Sequence, residues 1–336
     1  MRKLLLSFVL VPLVAAGGAI ARPAPLVSIG AGLKGPSGLR ATIFARGLRL
    51  QSAFALDARG RLWIAVSGAT THGSDGVFLV AQVGARPVKV IGDIRGPLGL
   101  VWSGGTLYVS SLGRVEAFSG LRGARFTTRR SILRGPVAGG ENNNLVLAPD
   151  GRLVLAVSST CDHCAPASKW AATIVTFRRD GSDLHVYARG IRAAYGLAYY
   201  PGTNDLFATM NQRDDLGART PGDWLGVVRR GQDWGFPGCY GQPGSACKGV
   251  PKPVAVLDKH AAAGGVAIAE GAALVAEWQL GVVKRVSLTR SGSTYSGSVS
   301  TFLSGLKNPL PLTVARDGAL LVGDWSTGAI YRIARA

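Results

Sequence analysis

One pattern recurs six times along this chain, and it limits the available folds more than any other feature. Each copy is an apolar run, a turn containing Gly (Asp-Gly or Gly-Gly in three of the six), an alternating strand, and in several copies a further strand. The copies occupy residues 53–66, 98–109, 145–157, 195–209, 265–276 and 312–323. Asp and Gly at these turns tolerate the left-handed backbone that tight hairpin connections need. Further strands follow at 174–177, 283–286 and 330–333. Repeats of roughly 45–65 residues suit blades of four antiparallel strands around a channel. A lone sheet cannot bury both of its faces, so radial stacking supplies the core. No stretch sustains a helical apolar period, which argues against an α/β alternative. The expected fold is therefore all-β, a six-bladed β-propeller of four-stranded antiparallel blades. A two-sheet sandwich is the runner-up and fits six such copies badly. The strand at 41–45 stands outside the repeats and is expected to close the ring against 330–333.

The N-terminus points to export. Arg2 and Lys3 precede an apolar run over residues 4–16, and Ala19-Ile20-Ala21 offers a small-residue cleavage site. A membrane-spanning helix needs about 20 apolar residues, and Pro12 with Gly17-Gly18 interrupts a run that is already short. No cysteine follows the run to carry a lipid. Residues 1–21 thus read as a signal peptide, 22–40 as an N-terminal linker, and 41–336 as a single propeller domain. A secreted or periplasmic location is expected. Forty-seven glycines and seventeen prolines without a collagen period fit a turn-rich body.

The formal net charge of +19 can favour nucleic acid, anionic lipid or acidic polysaccharide. The basic residues are scattered singly, however, so a solvated basic surface is the better reading. No nucleic-acid partner and no membrane span are expected. Cys161 and Cys164 form a C-x-x-C, and Cys239 and Cys247 lie in a Gly/Pro-rich loop. In an oxidising compartment, local disulfides 161–164 and 239–247 are the simplest of three connectivities. The spacing is poor for zinc. Ala165 stands where haem attachment needs His, and the C-x-x-C follows a strand rather than opening a helix.

Between residues 145 and 241 the order of motifs carries a resemblance. The chain reads L-V-L-A-P-D-G-R-L, S-S-T-C-D-H-C, G-I-R-A-A-Y-G-L-A-Y-Y-P-G-T, N-Q-R-D-D-L-G and G-Q-D-W-G-F-P-G-C-Y-G. This resembles the soluble glucose/sorbosone dehydrogenases, quinoproteins that oxidise sugars with pyrroloquinoline quinone (PQQ) on a six-bladed propeller. The resemblance implies PQQ and calcium as cofactors and a sugar or related alcohol as substrate. It also implies a histidine base five residues ahead of Leu145, where this chain has Gly140. Glycine cannot take a proton, and Glu141 beside it is the nearest candidate. An arginine-asparagine pair is expected before the G-L-A strand, and here it is Arg192-Ala193. A lysine contacting the quinone aligns with Gln279, and two arginines align with Asn308 and Leu310. A tricarboxylate needs cations to engage it, and of that set only Arg192 remains.

The resemblance places calcium on main-chain carbonyls of the loop 211–215. Asp214 and Asp215, with Asp223, offer the hard oxygens calcium prefers, although Asp-Asp pairs in loops are more often solvated and Arg213 adds a cation. His260 leads into the fifth repeat and is the best-placed histidine, since His72, His163 and His185 read as loop, disulfide loop and strand. Trp224, Trp234, Trp278 and Trp325 suit either stacking on a sugar ring or packing between blades. Two function classes follow. One is a quinoprotein sugar dehydrogenase with an eroded catalytic and quinone pocket. The other is a non-catalytic secreted propeller that binds a glycan, cell-wall or protein ligand at its channel face.

Overall fold

The computed structural model describes residues 24–68, 74–135 and 141–336. The expected signal peptide, His72 and Gly140 lie outside the described residues. Six four-stranded antiparallel sheets make up the body. The first strands of successive blades touch one another around the whole ring.

Each sequence repeat is the inner hairpin of one blade. Blade 1 begins with Gln51–Leu56 and Leu62–Val66, and blade 2 with Gly99–Ser103 and Thr106–Ser111. Blade 3 begins with Asn142–Leu147 and Leu153–Val157, and blade 4 with Leu197–Tyr199 and Leu206–Met210. Ala263–Ala269 with Ala272–Glu277 opens blade 5, and Pro309–Val314 with Leu320–Asp324 opens blade 6. The Asp-Gly turns work as expected. At Gly151 (φ +84°) the backbone takes the left-handed conformation, while Asp150 Oδ1 accepts the Arg152 amide at 3.0 Å.

Ring closure is by the N-terminal strand. Leu39–Ala45 pairs antiparallel with Ile330–Arg335, matching Ala41 to Ile333, Ile43 to Tyr331 and Ala45 to Ile330. The segment expected as a linker is partly built into the body. Val27–Gly30 and Leu33–Gly35 form a hairpin, with Ile29 and Leu33 buried against Leu303 and Leu306. Lys34 and Ser304 exchange backbone hydrogen bonds at 3.0 Å, so the hairpin is anchored beside blade 5.

The core consists of six apolar clusters, one at each blade-to-blade contact. Blade 3 shows how the sequence fills them. Leu153, Leu155 and Val157 face blade 2, while Val154 and Ala156 face blade 4. The side chains alternate along the strand as a pleat requires, yet both faces are covered and every residue is buried. The alternating polarity expected for these second strands is replaced by alternation between two cores. The acids near the ends of these elements tie loops together. Asp324 accepts the Lys307 amide at 2.7 Å, and Glu277 accepts that of Asp258 at 3.2 Å.

Candidate functional site

A cavity of about 910 Å³ opens at one end of the channel. Two places in the repeat build it. Loops entering first strands supply Glu141, Arg192, Tyr195 and His260, and segments leaving second strands supply Asn211, Trp278 and Gln279. A smaller cavity of about 250 Å³ shares Glu141, Tyr195, Asn211 and Trp278, and adds Leu310 and Trp325. Residues more than a hundred positions apart in sequence therefore meet because they occupy equivalent positions in different blades.

Glu141 is exposed at the wall and accepts the Tyr195 hydroxyl on Oε2 at 2.5 Å. Burial and the neighbouring Glu141 charge hold the Tyr195 phenol far above its ordinary value, so it remains a donor. His260 has both ring nitrogens engaged. Nδ1 lies 2.8 Å from Asp214 Oδ1 and Nε2 lies 3.0 Å from the Gly217 carbonyl. A neutral imidazole carries one N–H and satisfies one of these acceptors, whereas the imidazolium satisfies both. The Asp214 bond, followed by the Gly217 bond, raises the His260 pKa above the ordinary value. This histidine is in the cavity, but it presents no free lone pair to a substrate.

Arg192 is likewise occupied. Its Nη2 donates to Asp162 Oδ1 at 2.6 Å, its Nε to the Asp162 carbonyl at 2.9 Å, and its Nη1 to the Asn211 carbonyl at 3.2 Å. Gln279 is exposed at the rim. Asn308 does not line either cavity. Its amide donates to the Trp278 carbonyl at 2.9 Å, and its Oδ1 accepts from the Ser326 hydroxyl, so it braces Trp278 from behind.

The three loop aspartates are also placed individually. Asp214 pairs with His260, and Asp215 takes both ends of the Arg213 guanidinium, which lies over the Tyr240 ring. Asp223 is buried and accepts the Gln212 and Ala263 amides at 2.8 Å each. Burial raises its carboxyl to about 6 against the lowering effect of those two bonds. Among the described residues, no group of three or more His, Cys, Asp or Glu side chains is arranged to hold a metal. The tryptophans divide cleanly. Trp224 and Trp234 are buried and stacked at 4.3 Å between blades 3 and 4. Trp278 and Trp325 meet edge to face at 5.5 Å on the cavity wall.

Both disulfides join the expected neighbours, Cys161 to Cys164 and Cys239 to Cys247, and Cys161 lines the cavity. Sequence reasoning passed over Tyr195 and Asp162. Tyr195 lies just ahead of its blade's first strand, as Glu141 does, so its place in the repeat was a usable signal. Asp162 gave none beyond its position inside the C-x-x-C.

The fold is that of the soluble sugar dehydrogenase propellers. The *Trichoderma reesei* member of carbohydrate-active enzyme family AA12 superposes with a TM-score of 0.77 at 18% identity, covering 91% of this chain and 98% of that one. The holo PQQ domain of *Coprinopsis cinerea* pyranose dehydrogenase gives 0.74 at 18% identity, covering 90% and 97%. The PQQ-bound aldose sugar dehydrogenase of *Streptomyces coelicolor* gives 0.71 at 19% identity, covering 89% and 100%. No family model and no curated protein matches the sequence.

The cavity does not suit PQQ. Three carboxylates require cations, but the one arginine among the described lining residues is bonded to Asp162, and His260 has both ring nitrogens engaged by Asp214 and the Gly217 carbonyl. Glu141, Asp214 and Asp223 place carboxylates on the same wall. Gln279 and Leu310, where the resemblance implied cations, are neutral.

Proposed function

We propose that this chain is an exported propeller whose channel mouth binds a neutral, hydroxyl-rich ligand, a sugar or the end of a glycan, without a quinone. The observation that carries this reading is the charge of the wall: Glu141, Asp214 and Asp223 line the cavity, and the two basic groups among its described lining residues are already engaged, Arg192 by Asp162 and His260 by Asp214. Such a wall repels a tricarboxylate but accepts hydroxyl groups, which donate as readily as they accept. Trp278 and Trp325 supply an aromatic surface for the apolar face of a sugar ring. Asn211 Oδ1 is buried beside the cavity with no partner among the described residues, and a buried acceptor of that kind calls for a donor. Disulfides between sequence neighbours agree with export to an oxidising compartment. Among the described residues, no helix is long and apolar enough to cross a membrane.

Calorimetric titration tests the reading. Neutral mono- and oligosaccharides should give a saturable signal, and PQQ with calcium should give none. Saturable PQQ binding, or quinone-dependent oxidation of glucose or sorbosone by the reconstituted protein, overturns it.

A further inference from the structure

One carboxylate organises the polar wall of the cavity. Asp162 sits inside the small ring closed by the Cys161–Cys164 disulfide. Its Oδ1 accepts Arg192 Nη2 at 2.6 Å, and its main-chain carbonyl accepts Arg192 Nε at 2.9 Å. The same carboxylate accepts the Asp214 amide at 3.0 Å and the Asp215 amide at 2.9 Å. Asp214 in turn holds His260. The side chain of Arg192 is 17% exposed and lines the cavity; besides the Asn211 carbonyl on Nη1, Asp162 is the partner that keeps the guanidinium from a ligand there, and the only charged one among the described residues.

We propose that Asp162, held by the disulfide ring, is the specificity-determining residue of this cavity: it masks Arg192 and so makes the site reject anions. The inference rests on the reading of the cavity as a neutral-ligand site and identifies what enforces that preference. The ring matters because a carboxylate on a free loop turns away at little cost. A four-residue covalent ring limits the conformations through which Asp162 leaves Arg192. The geometry of the pair is compatible with release, since the guanidinium needs only a new acceptor on its cavity side. A guanidinium freed in this way offers a charge-assisted fork to a carboxylate.

The probe is citrate, a small tricarboxylate, measured by calorimetry on the full chain. Wild type should bind it weakly or not at all. Asp162→Asn keeps the side-chain size and one acceptor oxygen for the Asp214 and Asp215 amides, and should bind citrate about 10- to 100-fold more tightly. The double variant Asp162→Asn/Arg192→Gln should lose that gain, which a general loosening of the loop would not do. Cys161→Ser/Cys164→Ser opens the ring with Asp162 intact and should show part of the gain. If folded Asp162→Asn gains no citrate affinity, or if the double variant keeps the gain, the assignment fails. If Asp162→Asn does not fold, the ring-opened variant decides: a gain abolished by adding Arg192→Gln supports masking, and no gain overturns it. A gain with Asp162→Asn but none on opening the ring removes the disulfide from the claim. Tight citrate binding by wild type instead refutes the neutral-ligand reading itself, so the two failures are distinguishable.

Discussion

Phe44 offers the sharpest test of how the ring is closed. It sits on the N-terminal strand and is 8% exposed. It packs in the cluster formed by Leu62, Ile64, Val66 and Val80 of blade 1 with Leu321 and Ile330 of blade 6. Its ring therefore fastens the last blade to the first. Phe44→Ala removes a buried aromatic and leaves a cavity, a change that costs about 3–5 kcal/mol. At the lower end of the usual conversion, about 2 °C per kcal/mol for large domains, the melting temperature should fall by roughly 6–10 °C. Arg40→Ala on the same strand is the control. Arg40 is exposed, and its loss should stay within about 0.5 kcal/mol. Both variants would be followed by differential scanning calorimetry in one buffer. Deleting residues 41–46 should be more severe, because it leaves the strand Ile330–Arg335 as an unpaired edge. A Phe44→Ala protein melting within a degree of Arg40→Ala would refute the idea that this contact holds the ring shut.

Three further outcomes are expected. Burial raises Asp223 to about 6 and Glu277 to about 7. Their contribution to stability is therefore complete below the unfolded values near pH 4 and is lost as pH rises through 6 to 7. The wild type should be more stable at pH 5 than at pH 7.5 by on the order of a few kcal/mol, and so melt at a higher temperature there, and Asp223→Asn with Glu277→Gln should flatten the dependence; equal slopes in variant and wild type would contradict this. Trp278→Ala should weaken sugar binding by roughly 2- to 10-fold with little effect on melting, whereas Trp224→Ala should cost about 3–5 kcal/mol of stability; the reverse pattern in calorimetry would exchange their roles. By NMR titration, His260 should lose its proton above the ordinary histidine value, and Asp214→Asn should bring it down; an unchanged midpoint in that variant counts against the pairing.

Much of the fold could be read directly, because a propeller writes its architecture into the chain as a repeat. The pairs 145–157 and 312–323 became inner hairpins with their Asp-Gly turns in place, and the strand at 41–45 found its partner. The burial of Leu153–Val157 was harder to foresee. Whether the far side of a strand meets water or a second apolar sheet depends on neighbours distant in sequence, and Val154 and Ala156 look alike in either case. The hairpin at 27–35 was hidden for a related reason, since its two buried residues make sense only beside Leu303 and Leu306. In the site, composition showed which residue types were present and the repeat showed where they fall. The partnerships were not visible. Arg192 reads as a free cation until Asp162, thirty residues earlier, is found against it. His260 reads as a base until both of its nitrogens are seen to be engaged.

The N-terminal closing strand also dictates an order of events. Leu39–Ala45 is made early, just after the 27–35 hairpin, but its partner Ile330–Arg335 follows every other described strand. Nearly the whole chain must emerge before the two can meet, and the closure entropy for so long a loop must be overcome at once. Five blades can condense on their neighbours as they appear, but the sixth waits for both ends. Contacts this distant in sequence slow folding, so the pairing of Leu39–Ala45 with Ile330–Arg335 is expected to be a late event in folding.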